Sequence, residues 1–359
     1  MSRHRRSKKS PKTARPLPLR TPPSPRRWHW VVLAVLTAIG LAAYFLFRSK
    51  PHAPPSATAS AFPTLAELLA MTPRQRSGVD IGLMNLRCAE GLHGSEGLDI
   101  PAALRRLDEY AERVQAETSR HLHRFRENPG EYQDSEAYFR LLMLAVVMQE
   151  DFKANYNPAR ITSPGVFEPN GTFYADARDV FLHGLTGPPM TGTCSSMPVL
   201  YVAVGRRLGY PLRLVSTKNH LFLRWESGTS RLNMDATGRG FSSFEDDHYK
   251  TWPYTVTEDE IQANAYLRSM TPEEELASFL SMRGHALMAL QRYPQAIAAH
   301  REALRLAPGI RGYQVVLSLA EREATEKITA LRMRQINQVN ALLDPETRNA
   351  RQPTAGSEK

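Results

Sequence analysis

The sequence predicts an α+β protein, and three observations predict it. Helical periodicity fills the first part of the body, a helical run followed by three short strand-like runs occupies its middle, and the chain turns helical again beyond Thr271-Pro272. With 359 residues, 42% of them hydrophobic and 23% charged, the chain has material for folded cores in about two domains.

The first helices read from recurring apolar positions. Residues Leu65 to Met71 and Gly82 to Glu90 carry helical patterns, the second with Leu83, Leu86 and Ala89 on one face. Pro101 opens a longer run over Ala102 to Leu122, where Leu104, Leu107, Ala111 and Val114 share a stripe, and Ser135 to Met148 forms another. Between 155 and 193 the chain changes to loop signals, among them Asn157-Pro158, Ser163-Pro164, Glu168-Pro169 and Gly187-Pro188-Pro189. Asn170-Gly171-Thr172 there fits a glycosylation sequon, and as a turn it needs no further meaning. Met197 to Leu208 is helical, and strands follow over Leu212 to Ser216, His220 to Trp225 and Arg231 to Ala236. In the last window, Ala277 to Ile310, the residues Gly284, Ala286, Tyr293, Ala296, Ala303 and Pro308 fall at tetratricopeptide offsets, whereas Leu280 and Leu287 replace the usual aromatics. An ordinary helical hairpin fits the same six positions. One such repeat cannot cover its own apolar face, so it must pack on the preceding domain, on the helix over Val315 to Leu342, or on a protein partner. Residues 344–359 read as a disordered tail.

The net charge of +10 is local. Twelve of the 46 basic residues lie in the first 50 positions, ten of them from Arg3 to Arg27 without an acid, which leaves 34 against 36 acidic residues elsewhere. The body therefore lacks the basic footprint of a nucleic-acid binder. After the basic tail (1–29), residues 30–47 form an 18-residue uncharged run, as a helix about 27 Å long and close to a bilayer's hydrocarbon thickness. Its length, and the Ala57-Thr58-Ala59 pattern beginning ten positions past its end, favour a retained transmembrane anchor over a cleaved signal peptide. Ten positive charges before the run against two after it predict a cytoplasmic N-terminus and a body outside the cytoplasm. Residues 48–62, rich in Pro, Ser and Ala, are a tether.

The two cysteines, Cys88 and Cys194, make no disulfide framework, and no Cys/His spacing suggests zinc. No metal or cofactor is expected. A Cys88–Cys194 bridge is the rival use of both thiols. Cys194 stands in Gly192-Thr193-Cys194-Ser195-Ser196-Met197-Pro198, where Ser195 and Ser196 are good caps and Pro198 suits a first helical turn. A helix mouth favours negative charge, and the thiolate is the nucleophilic form of cysteine. In the last two strands, Leu221, Leu223 and Trp225 alternate with polar or aromatic neighbours, as do Leu232 and Met234. With a four-residue connection, Glu226 to Thr229, the hairpin register sets Leu223 against Leu232, Leu221 against Met234, and His220 opposite Asp235 on the other face. A thiol, an imidazole to carry its proton and a carboxylate to orient the imidazole are what nucleophilic catalysis needs. Asp246-Asp247-His248 suggests metal ligands, but three consecutive residues cannot all face one ion, so a solvated loop is expected.

The runs GTCSSMPVLYVAVGRRLGYPLRLV, NHLFLRW and NMDATGRGF together resemble the core of the transglutaminase-like superfamily, and in particular a bacterial branch in which tetratricopeptide-like helices follow the core. Asp80 to Leu107 resembles that branch's helical lead-in. The resemblance covers about residues 63–310. It implies a papain-like core, helix plus antiparallel sheet, in a domain over 63–270 followed by a tetratricopeptide-like region over 271–343. It also implies Cys194 as nucleophile, His220 as base and Asp235 as orienting acid, with Cys88 structural. The expected function is a membrane-anchored thiol enzyme, a peptidase, amidase or acyl transferase, acting on amide or acyl bonds of a peptide or protein. The alternative is an inactive core serving as an anchored scaffold through its repeat, since related domains include members without activity.

Overall fold

Capping residues set where the first helices begin. Thr64 and Thr72 each close a capping box, ahead of α1 (Leu65–Ala70) and α2 (Pro73–Arg76), and Asp80 and Asp99 cap α3 (Ile81–Ala89) and α4 (Ile100–Glu127). These elements come from a computed structural model in which residues 62–161, 172–228 and 230–343 are described. The tail, the 30–47 run, the tether up to residue 61, residues 344–359 and Asn170 and Gly171 of the sequon lie outside the described residues. Among the described residues no helix is long and apolar enough to cross a membrane.

The expected single apolar face of α3 proves too narrow a description, because all nine of its residues are buried. It is a core helix, and Cys88 lies inside it. In α4 the predicted stripe of Leu104, Leu107, Ala111 and Val114 is buried, and the helix runs 28 residues, on to the stop at Asn128-Pro129. Next, α5 (Glu136–Val146) ends in a π turn over Val147–Asp151. The loop-rich stretch holds β1 (Asn155–Tyr156), the short α6 (Ala177–Val180) and β2 (Thr191–Gly192), and β1 pairs with β2 in parallel. Then α7 (Met197–Arg207) leads into an antiparallel sheet of order β3 (Leu212–Thr217), β4 (His220–Ser227), β5 (Ser230–Met234). An α+β arrangement is thus what the sequence forms.

The hairpin register differs from the expected one by two residues. Leu223 pairs with Met234, Trp225 with Leu232 and Ser227 with Ser230, so only Gly228 and Thr229 connect the strands, with Gly228 at φ 57°. Two-residue connections with glycine match strand twist better than four-residue ones, and this register also sets Glu226 against Arg231 and lets Arg224 Nε donate to Asn233 Oδ1 at 2.7 Å. A shift of two keeps every side chain on its face. Leu221, Leu223 and Met234 enter the main core, while Phe222 and Val215 on the opposite face enter a smaller cluster with Tyr249 and Leu267. The sheet is buried on both sides.

Asp246-Asp247-His248 corrects a second expectation. It begins α8 (Asp246–Tyr249), and Asp246 bridges Arg224 and Arg231 at 2.6 Å each, so it is a structural anion and not part of a solvated loop. Among the described residues no cluster of three ligand-type side chains suits a metal.

After α9 (Glu258–Asn264) come α10 (Pro272–Ala289), α11 (Tyr293–Leu306) and α12 (Arg311–Leu343). Helix α10 docks on the lead-in and on α7. Glu275, fully buried, meets Arg206; Arg76 reaches Glu273 at 3.1 Å; Arg283 Nη1 donates to the carbonyls of Cys88 and Glu90 at 2.8 and 2.7 Å. Gly284 lets α11 approach closely, since a Cβ there would lie 2.4 Å from the His300 ring. Helix α12 buries Leu317 and Ala320 but leaves Ile328, Leu331, Met333, Ile336 and Val339 exposed.

Candidate active site

The nucleophile candidate sits on a turn held from below. Thr193 accepts from the backbone N–H of Ser196 and Met197 through its carbonyl, so the helical turn begins one residue before Cys194. Ser196 is the residue ahead of α7, but its hydroxyl does not cap the helix. Instead Ser196 Oγ donates to the Asp179 carbonyl at 2.8 Å and accepts from the Thr193 N–H at 3.0 Å, and Thr193 Oγ1 donates to the same carbonyl at 2.9 Å. The capping signal in the sequence was real in its placement of the helix start, and the hydroxyls serve a different purpose. Cys194 itself is half-buried and unbridged, with its sulfur 4.0 Å from the Asn219 carbonyl oxygen. Cys88 is also a free thiol, fully buried, and burial pushes it up to about 12.

His220 reaches the thiol through a tight turn. Thr217 pairs with His220, so Lys218 and Asn219 alone join β3 to β4, with Asn219 at φ 58°, a left-handed conformation that asparagine tolerates better than most residues. The imidazole is buried, and its Nε2 lies 2.7 Å from Asp235 Oδ2. That leaves Nδ1 as the nitrogen for the Cys194 sulfur, with which the imidazole interacts. Burial pulls the His220 pKa down, but the Asp235 carboxylate and the Cys194 sulfur outweigh it and raise it to about 9. Trp252 stands edge-on to the ring, centroids 4.7 Å apart.

Asp235 follows the last residue of β5 and bridges to Ser242. Extending the observed register places Asp235 beside Phe222, two residues along from His220, so the contact is diagonal. A diagonal separation of about 7 Å between backbones is within reach of an imidazole and a carboxylate together. The second oxygen of Asp235 accepts from the Thr237 N–H at 2.9 Å and from the Thr237 hydroxyl. Burial would raise the Asp235 pKa, yet the hydrogen bonds from His220 and Thr237 hold it below the usual carboxylate value.

All three sequence-predicted residues, Cys194, His220 and Asp235, are therefore brought together. Several contributors were missed. Thr237 was legible in Asp235-Ala236-Thr237, since a carboxylate often accepts from the backbone two residues on. Trp252 and the Asp179 clamp carried no signal, because only the fold brings their segments to the site.

Helix α7 packs behind an antiparallel sheet, with a thiol at the helix start and an imidazole and carboxylate on the sheet, which makes this an α+β protein that gathers a thiol, an imidazole and a carboxylate in one place. Residues 101–280, half of the chain, match the family model described as the transglutaminase-like superfamily, and the chain belongs to that superfamily. Membership supports thiol-based chemistry on acyl or amide bonds. No curated protein and no solved structure matches the chain.

Proposed function

We propose that this protein is a membrane-anchored thiol enzyme that cleaves or transfers acyl groups at amide bonds of a peptide or protein. One observation carries the reading: a buried imidazole that shares its two nitrogens between a carboxylate, 2.7 Å away, and the thiol at a helix start. In the proposed reaction the Cys194 thiolate attacks the carbonyl carbon, forming a C–S bond while the π pair moves to oxygen. Collapse of that intermediate breaks the C–N bond, and the leaving amine takes its proton from the His220 imidazolium. Water or an amine then attacks the thioester, gives its proton back to His220 and releases the thiolate. Asp235 keeps Nδ1 aimed at sulfur and stabilises the cation. Anchoring through residues 30–47, with the body outside the cytoplasm, rests on the 18-residue uncharged run and the ten-to-two charge asymmetry.

The test is labelling of the full chain in detergent with a peptide-linked thiol electrophile. Cys194 should react well above the rate of a free thiol, Cys194→Ala should abolish the label, and His220→Ala should slow it about 100-fold. Equal labelling of Cys194 in both histidine forms would end the enzyme reading. A scaffold with an inactive core would then lead, supported by the exposed apolar side chains of α12, and the tetratricopeptide-like hairpin would be its docking element.

A further inference from the structure

We infer that Gln149 is a positioning residue of this site, acting on His220 through the loop that carries Asp235. The inference rests on the thiol-enzyme reading above and names what holds the carboxylate half of that site. Asp235 opens a loop that closes on itself, its N–H donating to the Ser242 carbonyl at 2.9 Å. Within the loop stand Thr237, whose N–H and hydroxyl donate to Asp235 Oδ1, and then Gly238, Arg239 and Gly240, the last at φ 75°. Two glycines in so short a span leave the backbone many conformations. The aim of the carboxylate therefore depends on what grips the loop from outside.

The grip comes from one side chain. Gln149 Oε1 accepts from the Gly240 N–H at 2.6 Å, while Nε2, with two protons, lies 3.1 Å from the Gly240 carbonyl and 3.3 Å from both the Gly238 carbonyl and the Tyr201 hydroxyl of α7. Gly240 thus shares its N–H and its carbonyl with a single amide, the exchange by which paired strands hold each other. Phe241, the next residue, packs edge-on to Tyr138 of α5 with ring centroids 4.7 Å apart. Both holds on the loop come from α5 and its π turn.

That turn also serves the nucleophile. A π turn adds a residue to the helical winding, and such turns gather at functional sites. Here it closes with Phe152 N–H to Val147 O at 3.2 Å, and after Ala154 N–H to Met148 O at 2.9 Å the chain runs straight into β1. Tyr156 of β1 pairs with Gly192, two residues ahead of Cys194. One element therefore grips the loop of the carboxylate and leads into the strand beside the loop of the thiol.

With Oδ1 held by Thr237 and the loop by Gln149, Asp235 Oδ2 meets His220 Nε2 at 2.7 Å. Besides Asp235 the imidazole faces the Cys194 sulfur and the rings of Trp252 and Tyr249. Loosening the loop lets the carboxylate move off the ring, which removes both the orientation of the imidazole and the anion that favours its cation.

Two readouts in the full chain in detergent separate positioning from general support of the fold: the His220 pKa, by NMR of ring-labelled histidine, and the rate at which iodoacetamide labels Cys194. Gln149→Leu should lower the pKa from about 9 to about 8 and slow labelling near neutral pH about tenfold, the equivalent of that shift. In an Asp235→Asn background the same substitution should slow labelling by less than about twofold, because the path runs through the carboxylate. Alkylation of buried Cys88 reports any unfolding. If Gln149→Leu unfolds, Gln149→Asn, which keeps the amide but falls one methylene short of the loop, should give the same shift. An unchanged His220 pKa in a folded variant, or a full tenfold further loss in the Asp235→Asn background, overturns the role of Gln149 while wild-type reactivity still stands. A wild-type Cys194 that labels no faster than a free thiol overturns the enzyme reading itself, and the positioning role with it.

Discussion

His220 and His300 are both buried, and burial pulls each imidazole toward neutrality, yet their pKa values move in opposite directions. His220 is raised to about 9, because Asp235 takes one nitrogen and the Cys194 sulfur engages the ring. His300 is lowered to about 3 by burial and by the neighbouring His285, itself lowered to about 4 by burial, and neither ring nitrogen of His300 has a hydrogen-bond partner among the described residues. Equal burial thus produces a cation in one place and a neutral packing group in the other. The partner decides, and burial sets the scale on which it does so.

The strongest way to break this contrast is to remove the partner. In Asp235→Asn, His220 should come to resemble His300: its pKa should fall from about 9 to below the ordinary 6.5, read by NMR of ring-labelled histidine. Labelling of Cys194 near neutral pH should drop about 100-fold as the imidazole loses its orientation and its cation. A His220 that keeps an elevated pKa without Asp235 would show that the sulfur alone suffices.

A second break concerns Glu275, the buried anion whose partner is Arg206 at the end of α7. Burial raises the Glu275 pKa in spite of that partner. Arg206→Met leaves the carboxylate buried without its ion-pair partner and should cost about 3 to 5 kcal/mol in denaturant unfolding. Adding Glu275→Gln should recover much of it. If the double variant is as unstable as the single one, the pair acts through packing alone.

The pH dependence sharpens the comparison further, because the two sites have opposite signs. A depressed histidine binds its proton in the unfolded chain first, so His300 and His285 should cost stability as pH falls below 6.5 toward about 3 to 4. His220 is raised, so its contribution is complete below 6.5 and disappears as pH rises through about 9. His300→Leu should flatten the acid limb of the melting temperature and leave the alkaline limb unchanged. The smallest expected effect is Gly284→Ala, whose Cβ would meet the His300 ring at 2.4 Å. It should cost about 1 to 3 kcal/mol, with part recovered by His300→Ala.

Legibility in the sequence followed the range of the interaction. Cys194 was found because Ser-Ser-x-Pro marks a helix start within a few residues, and His220 and Asp235 because strand alternation assigns faces without any tertiary information. The register was misjudged by two, since loop length was read from composition; His220 and Asp235 are no longer directly opposed, yet they still meet as diagonal neighbours because a shift of two preserves the face. Tyr156 was not legible. Its two-residue strand is too short for any period, and it comes to lie beside the loop of Cys194 only through parallel pairing with residues 36 positions later.

By itself the sequence determined the class of the fold, the order of its main helices and of the three-stranded sheet, and three side chains that the fold brings together, because periodicity, caps and turns act over a few positions along the chain. Tertiary structure alone decided how those residues are tuned. Asp179 clamping two distant loops, Thr237 and Trp252 around the Asp235–His220 pair, and α10 docked through Glu275 all join segments far apart in sequence. Burial and hydrogen bonding depend on what packs nearby, and that is fixed only when the chain has folded.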